Sequence, residues 1–209
     1  MSLPFGWEEL AALPMGRFMD VGCGSGSFVA LAAQMGWQAE GLEFDPAAVT
    51  TARAAGLNVT EGGYERLCEW PQAFDALLCS HVIEHVHDPQ AMVKAMHAAL
   101  RPGGTLLLST PNAQSDVHRY FGRCWRGLEA PRHLVVFNEA VLVSLLLQAG
   151  FDVVSHADDL LETARESMRI ARLLCDRGDG VSPSQLLPSQ ALERSPGGHD
   201  FIKLSARKI

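Results

Sequence analysis

No apolar run in this 209-residue chain approaches the ~18–20 residues that a membrane helix needs, so no membrane span is expected. Positive charge is also short: 17 Lys and Arg stand against 24 Asp and Glu, a net charge of −7. General nucleic-acid binding leans on a basic face, so no nucleic-acid partner is expected. Arg119, Arg123, Arg126 and Arg132 form a local basic run, which reads more simply as a solvated face. The five cysteines are odd in number and lack metal-type clustering, which argues against a disulfide framework and a thiolate metal site. The first residues lack the basic stretch and apolar core of a secretory signal. With reduced thiols and no visible leader, the expected location is cytoplasmic. No internal repeat divides the chain, and nothing in it signals an oligomeric state. Residues 1–209 read as one domain, long enough to bury a sizeable core.

Strand and helix signals alternate along most of the chain. A first strand covers about Arg17 to Val21, and Phe28, Leu31, Ala32 and Met35 then recur at helical spacing up to Gly36. A second strand lies near Ala39 to Glu43. Asp45-Pro46 and Asp88-Pro89 each pair an N-cap with a first-turn proline, which opens a helix. A short strand near Asn58 to Thr60 follows the first of these helices. Phe74 to Ser80 is apolar on both faces and reads as a central strand. Arg101-Pro102-Gly103-Gly104 predicts a turn into a strand at Thr105 to Ser109. Asn138 caps a helix ending at Gly150, then strands follow at Phe151 to Val154 and Phe201 to Ala206. Such alternation implies a mostly parallel sheet covered by helices, with ligands at the carboxyl ends of its strands. Two regions break the pattern. Residues 113–131 lie over the strand ends and read as a candidate lid. Residues 158–198 read as an insertion, with Leu160, Leu161, Ala164, Met168, Ala171 and Leu174 on a helix and a polar loop from Gly178.

The segment FMDVGCGSGSF, Phe18 to Phe28, concentrates the functional signal. Gly22, Gly24 and Gly26 let the backbone turn sharply and approach a ligand closely, and the helix opening at Ser27 adds unpaired N–H groups. Asp20 sets a carboxylate beside them. This dual polarity suits a polar or zwitterionic cofactor tail better than a bare phosphate. A dinucleotide fingerprint would need glycine where Ser27 stands. Glu43, at the next strand end, is placed to accept two ribose hydroxyls.

FMDVGCGSGSF, GLEFD, FDALLCSHVIEHVHDP and LRPGGTLLLSTPN resemble, in order and spacing, the successive motifs of class I S-adenosylmethionine-dependent methyltransferases. WRGLEAPRHLVVFNEAVLVSLLLQAGF is similar to the small-molecule branch that includes quinone-biosynthesis methyltransferases. The resemblance implies an α/β fold, a Rossmann-like doubly wound sheet of about seven strands, mostly parallel with an antiparallel last strand. It also implies S-adenosylmethionine as cofactor and S-adenosylhomocysteine as product. By matching position, Asp20 lies near the methionine amino group, and Gly22, Cys23, Gly24, Gly26 and Ser27 pass beneath the amino-acid tail. Glu43 binds the ribose, Phe44 packs on the adenine, Gly63 and Tyr64 lie beside it, and Ser80 and His81 line the methyl-transfer side. Gly63 departs from the family pattern, where Asp is common.

The reaction so implied is methyl transfer to a small-molecule acceptor. A base is needed only where the acceptor must lose a proton, and imidazole suits that near neutrality. His133, His81 and His118 are the candidates, with His133 slightly favoured. Phe121, Trp125 and Trp7 hint at an aromatic or apolar acceptor. His81-Val82-Ile83-Glu84-His85 also spells the H-x-x-E-H zinc-protease signature. That signature needs one continuous helix, whereas these residues follow a strand and stop at Asp88-Pro89, so no metal is expected. Two rivals use the same residues: a non-catalytic S-adenosylmethionine-binding protein with no acceptor pocket, and an NAD-dependent oxidoreductase.

Overall fold

In a computed structural model, which describes residues 5–156, 164–177, 179 and 198–209, seven strands form one sheet in the order β3-β2-β1-β4-β5-β7-β6. They are β1 (Arg17–Val21), β2 (Gln38–Glu43), β3 (Val59–Glu61), β4 (Phe74–Ser80), β5 (Leu100–Pro111), β6 (Phe151–His156) and β7 (Phe201–Lys208). All pairings are parallel except those of β7, which runs antiparallel to both β5 and β6. The chain steps outward from β1 to β3, then crosses back to β4 on the other side of β1. The crevice where the order reverses opens at the carboxyl ends of β1 and β4, where such sheets bind ligands.

Two-sided burial explains why the central strands are apolar throughout. On β4, Leu77 and Cys79 join a core with Met92, Val93 and Met96 of α4 (Pro89–Ala99) and Leu142 and Leu146 of α6 (Glu139–Gln148). The alternate residues Ala76 and Leu78 pack on the opposite face with Leu10 of α1 (Trp7–Ala11) and Ala32 of α2 (Ser27–Gln34). The expected caps act as such. Asp45 accepts from Ala47 N at the head of α3 (Pro46–Ala54), Asp88 from Ala91 N, and Asn138 from Val141 N.

Three features differ from the sequence expectation. Helix α1 was not foreseen, because five residues are too few to display a helical period. The Arg101–Gly104 turn lies inside β5: Phe74 pairs with Leu100 and Ala76 with Thr105, so the turn is a bulge that the strand resumes beyond. Residues 113–131, a break in the strand–helix alternation by sequence, carry helix of their own. They hold α5 (Asp116–Phe121) and two 3-10 turns at Gly122–Cys124 and Arg126–Leu128. Val117, Phe121, Cys124 and Trp125 there form a small core with Ala171 of α7 (Ala164–Asp176), against which Met168 and Leu174 also pack. Leu160, Leu161 and the expected loop from Gly178, apart from Asp179 and Gly198, lie outside the described residues.

Candidate active site

The turn after β1 is pinned by its neighbours. Gly22 N and Cys23 N both donate to Leu42 O, at 2.7 and 3.2 Å. Gly22 sits at φ +79°, and a Cβ there would come 2.3 Å from Val82 Cγ2, so the Val82 side chain after β4 packs directly on the bare backbone of the loop. Gly24, at φ +54°, is different: a Cβ there would meet nothing within 4 Å. Its bare backbone faces open space, as a ligand-covering loop requires. Gly24 N donates to Glu43 Oε2 and Asp45 N to Glu43 Oε1, both at 2.8 Å. Glu43 is thereby locked in place, and its remaining lone pairs are free for hydroxyl donors.

Asp20 lies behind the loop, 5% exposed. Burial, and then the charge of Glu43, push its carboxyl up to about 7. A carboxylate so situated favours a cationic partner, which removes both penalties. Burial also pushes the Cys23 thiol up to about 12, reinforced by Asp20 and Glu43, so it is inert.

Three adjoining cavities run across the strand ends. The first, about 380 Å³, lies between Leu42, Phe44, Gly63, Tyr64 and Val82. The second, about 510 Å³, lies over Gly22, Gly24, Glu43 and Phe44 and reaches His81 and Arg132. The third, about 520 Å³, is bounded by His81, Arg126, Glu129, Arg132, His133 and Phe201. The first two share Gly22, Phe44, Val82 and His85; the last two share His81, His85 and Arg132. Phe44 is 77% exposed at the rim, an apolar ring free to cover a flat ligand. Among the other residues singled out from sequence, Gly26 packs toward Leu57, Ser27 opens α2 and Ser80 ends β4. None of these three borders the cavities.

The three candidate histidines and their neighbour His85 divide into two groups. His118 stacks on Trp125 with ring centres 4.5 Å apart, and its Nδ1 is 2.6 Å from Ala113 O. It belongs to the α5–α7 core and borders none of the three cavities. His81, His85 and His133 cluster instead at the cavity junction. His81 has a left-handed backbone (φ +56°), with its ring edge on Phe201 and its Nδ1 3.3 Å from Glu84 Oε1. Glu84 is fully buried and takes a 3.0 Å hydrogen bond from Thr110 Oγ1. Burial pushes the Glu84 carboxyl up, but the His81 contact, its own backbone N–H and Thr110 outweigh that and hold it below the ordinary range.

His85 Nδ1 lies 2.9 Å from Arg132 O, and His133 Nδ1 lies 2.7 Å from Gly127 O. Leu134 N and Val135 N donate to Glu84 O, which ties the 126–135 strap to the 3-10 turn after β4. Glu129 receives Arg126 and Arg132 on its two oxygens. Burial raises its carboxyl, but these guanidinium groups and His133 more than offset that and lower it. One oxygen of Glu84 and one ring nitrogen each of His85 and His133 lie within 4.8 Å of one another. The H-x-x-E-H run itself is not on one α-helix: it leaves β4 and makes a 3-10 turn at Ile83–His85. The zinc-protease geometry is therefore absent from it.

Sequence reading missed Val82, Arg126, Glu129, Arg132 and Phe201 as neighbours of the site. The Pro131-Arg132-His133 turn was the signal available for the strap. Phe201 lies far along the chain from the glycine loop and the His81 segment and comes in through the antiparallel pairing of β7 with β5. Phe121 and Trp125, hints of an aromatic acceptor, are each 1% exposed in their own core.

The methyltransferase domain family model matches residues 8–156. The ubiquinone biosynthesis O-methyltransferase of Xanthomonas campestris pv. campestris (strain B100) is 38% identical over 108 residues, 48% of this chain and 45% of that protein. The protein of the same name from Pseudomonas aeruginosa (strain LESB58) is 33% identical over 123 residues, 54% of this chain and 52% of that one. The chain thus spans about half the length of these relatives. A SAM-dependent methyltransferase from Thermotoga maritima shares the fold, with a TM-score of 0.64, 20% identity, and coverage of 98% of this chain and 90% of that one.

Proposed function

The chain belongs to the methyltransferase domain family, and from that premise we propose that it transfers the methyl group of S-adenosylmethionine to a small-molecule acceptor and releases S-adenosylhomocysteine. The observation that carries this reading is the meeting of two cavities at His81, one over the glycine loop and Glu43, the other walled by Phe201 and the 126–135 strap. A protein that only stores or senses the cofactor has no use for the second cavity.

In this reading the cofactor's ammonium lies by Asp20, its carboxylate follows the loop from Gly22 to Gly26, Glu43 takes the ribose hydroxyls, and the adenine lies between Phe44 and the Gly63-Tyr64 turn. The sulfonium then faces His81. The methyl group is already activated, so the protein's task is alignment for in-line attack and exclusion of water. His81 is the best placed of the three histidine candidates, because it borders both cavities and its side chain is 45% exposed. His133 is 5% exposed and follows as a second contact to the acceptor. His118, half-buried and stacked on Trp125 away from the three cavities, is in this reading a structural residue. The relatives' name suggests an oxygen on a quinone precursor as the methylated atom, and Phe201 and Pro111 supply apolar walls for a ring. Residues 113–131 act as a fixed cover whose last part, from Arg126, borders the acceptor.

Titration calorimetry with S-adenosylhomocysteine and with NAD separates the readings. S-adenosylhomocysteine is expected to bind and NAD not to. Binding of NAD alone would overturn the proposal in favour of an oxidoreductase.

A further inference from the structure

Resting on the methyltransferase reading, we propose that Glu84 and Thr110 are positioning residues that hold His81 as its Nδ1–H tautomer. This leaves Nε2 bare as a base for an acceptor that must lose a proton, which makes a hydroxyl the methylated group. Glu84 has no exposed surface, yet its carboxyl is held in the ionised range. A buried carboxylate is retained only where something compensates its charge. Thr110 Oγ1 anchors Oε2 at 3.0 Å. Oε1 makes no well-aligned hydrogen bond; its contact is Nδ1 of His81 at 3.3 Å.

The backbone enforces this approach. His81 takes a left-handed conformation that is strained for a non-glycine residue, while its N–H is held by Ser109 O at 2.9 Å. Strain of that kind at the end of a central strand turns the ring back over Glu84, where Phe201 meets its edge. Since Nδ1 faces the core, Nε2 faces the junction of the two cavities. A carboxylate that accepts from Nδ1–H sets the tautomer and compensates the imidazolium formed later. The other charged or titratable groups lining the two cavities that meet at His81 are Glu43, Asp45, His85, Arg126, Glu129, Arg132, His133 and Glu166.

The Nε2 lone pair takes the hydroxyl proton while an oxygen lone pair attacks the methyl carbon. The carbon–sulfur bond breaks, and its electron pair returns to sulfur as the neutral thioether of S-adenosylhomocysteine. The imidazolium proton then leaves to solvent. An acceptor with no proton to lose would have no use for the couple.

The test is long-range proton–nitrogen NMR on the full chain with 15N-labelled histidine and saturating S-adenosylhomocysteine, at a pH where the ring is neutral. His81→Gln assigns the signal. The expected result is a protonated Nδ1 and a bare Nε2, reversing to mainly Nε2–H in Glu84→Met, with affinity for S-adenosylhomocysteine unchanged. Thr110→Val removes only the anchor, and a partial move in the same direction is expected there, which keeps the test open if Glu84→Met fails to fold. Wild-type protein that binds the ligand with His81 in the Nε2–H form overturns the couple alone, as does a tautomer unmoved in either folded variant. Failure of the wild-type protein to bind S-adenosylhomocysteine overturns the function from which the couple follows.

Discussion

The carboxyl of Asp20 keeps its proton to about pH 7 in the free protein, because burial and then Glu43 disfavour its charge. The folded state therefore binds more protons than the unfolded chain between the ordinary carboxylate range and pH 7. Stability of the free protein should fall as pH rises through that window and level off above it. A ligand ammonium beside Asp20 reverses the preference and expels the proton. Affinity for S-adenosylhomocysteine should accordingly rise with pH, by at most about tenfold per unit, and flatten above about pH 7. Calorimetry at pH 6 in two buffers of different ionisation heat should show proton release. Asp20→Asn should abolish both the release and the pH dependence. Equal affinity at pH 6 and pH 8 in the wild-type chain would contradict the placement of the ammonium.

The glycine turn shows at element scale how one strand end serves both packing and binding. At Gly22 a side chain would strike Val82, so substitution there damages the joint between the β1 and β4 loops. At Gly24 the space is open, and only the left-handed backbone, costing about 1–2 kcal/mol for an L-residue, opposes alanine. Gly24→Ala should therefore fold, with a modest loss in a denaturant titration, while its methyl group occupies the proposed ligand path. A loss of S-adenosylhomocysteine affinity well beyond the stability loss is expected; unchanged affinity would place the ligand elsewhere. The glycines, the Asp-Pro caps and the apolar run of β4 were legible because each acts through neighbours close in sequence. The bulge in β5 was not. Arg101-Pro102-Gly103-Gly104 has turn chemistry, and only pairing of Leu100 with Phe74 makes it an interruption within a strand.

At the scale of the molecule, the cofactor half of the candidate site comes from strand ends, which sequence order alone places on one edge of the sheet. The acceptor half comes from contacts between distant segments: Phe201 from β7, and the strap fastened to Glu84 O through Leu134 and Val135 and to His85 through Arg132 O. No local pattern encodes such joints: the turn and the basic run offer His133 and Arg132 as residues but not as walls of the site, and Glu129 and Phe201 carry no local signal at all. The same fastening makes a prediction. Because the strap borders the cavity over the glycine loop through Arg132 and hangs on the turn that carries His81 and Glu84, a ligand that stiffens that turn should stiffen the strap too. Hydrogen-exchange mass spectrometry with saturating S-adenosylhomocysteine should show slower amide exchange at 22–26, at 62–65, and also at 132–135. The edge strand β6, which borders none of the three cavities, should not change. Protection confined to 22–26 and 62–65 would mean that the strap moves independently of the cofactor, and that the acceptor wall is not built when the cofactor binds.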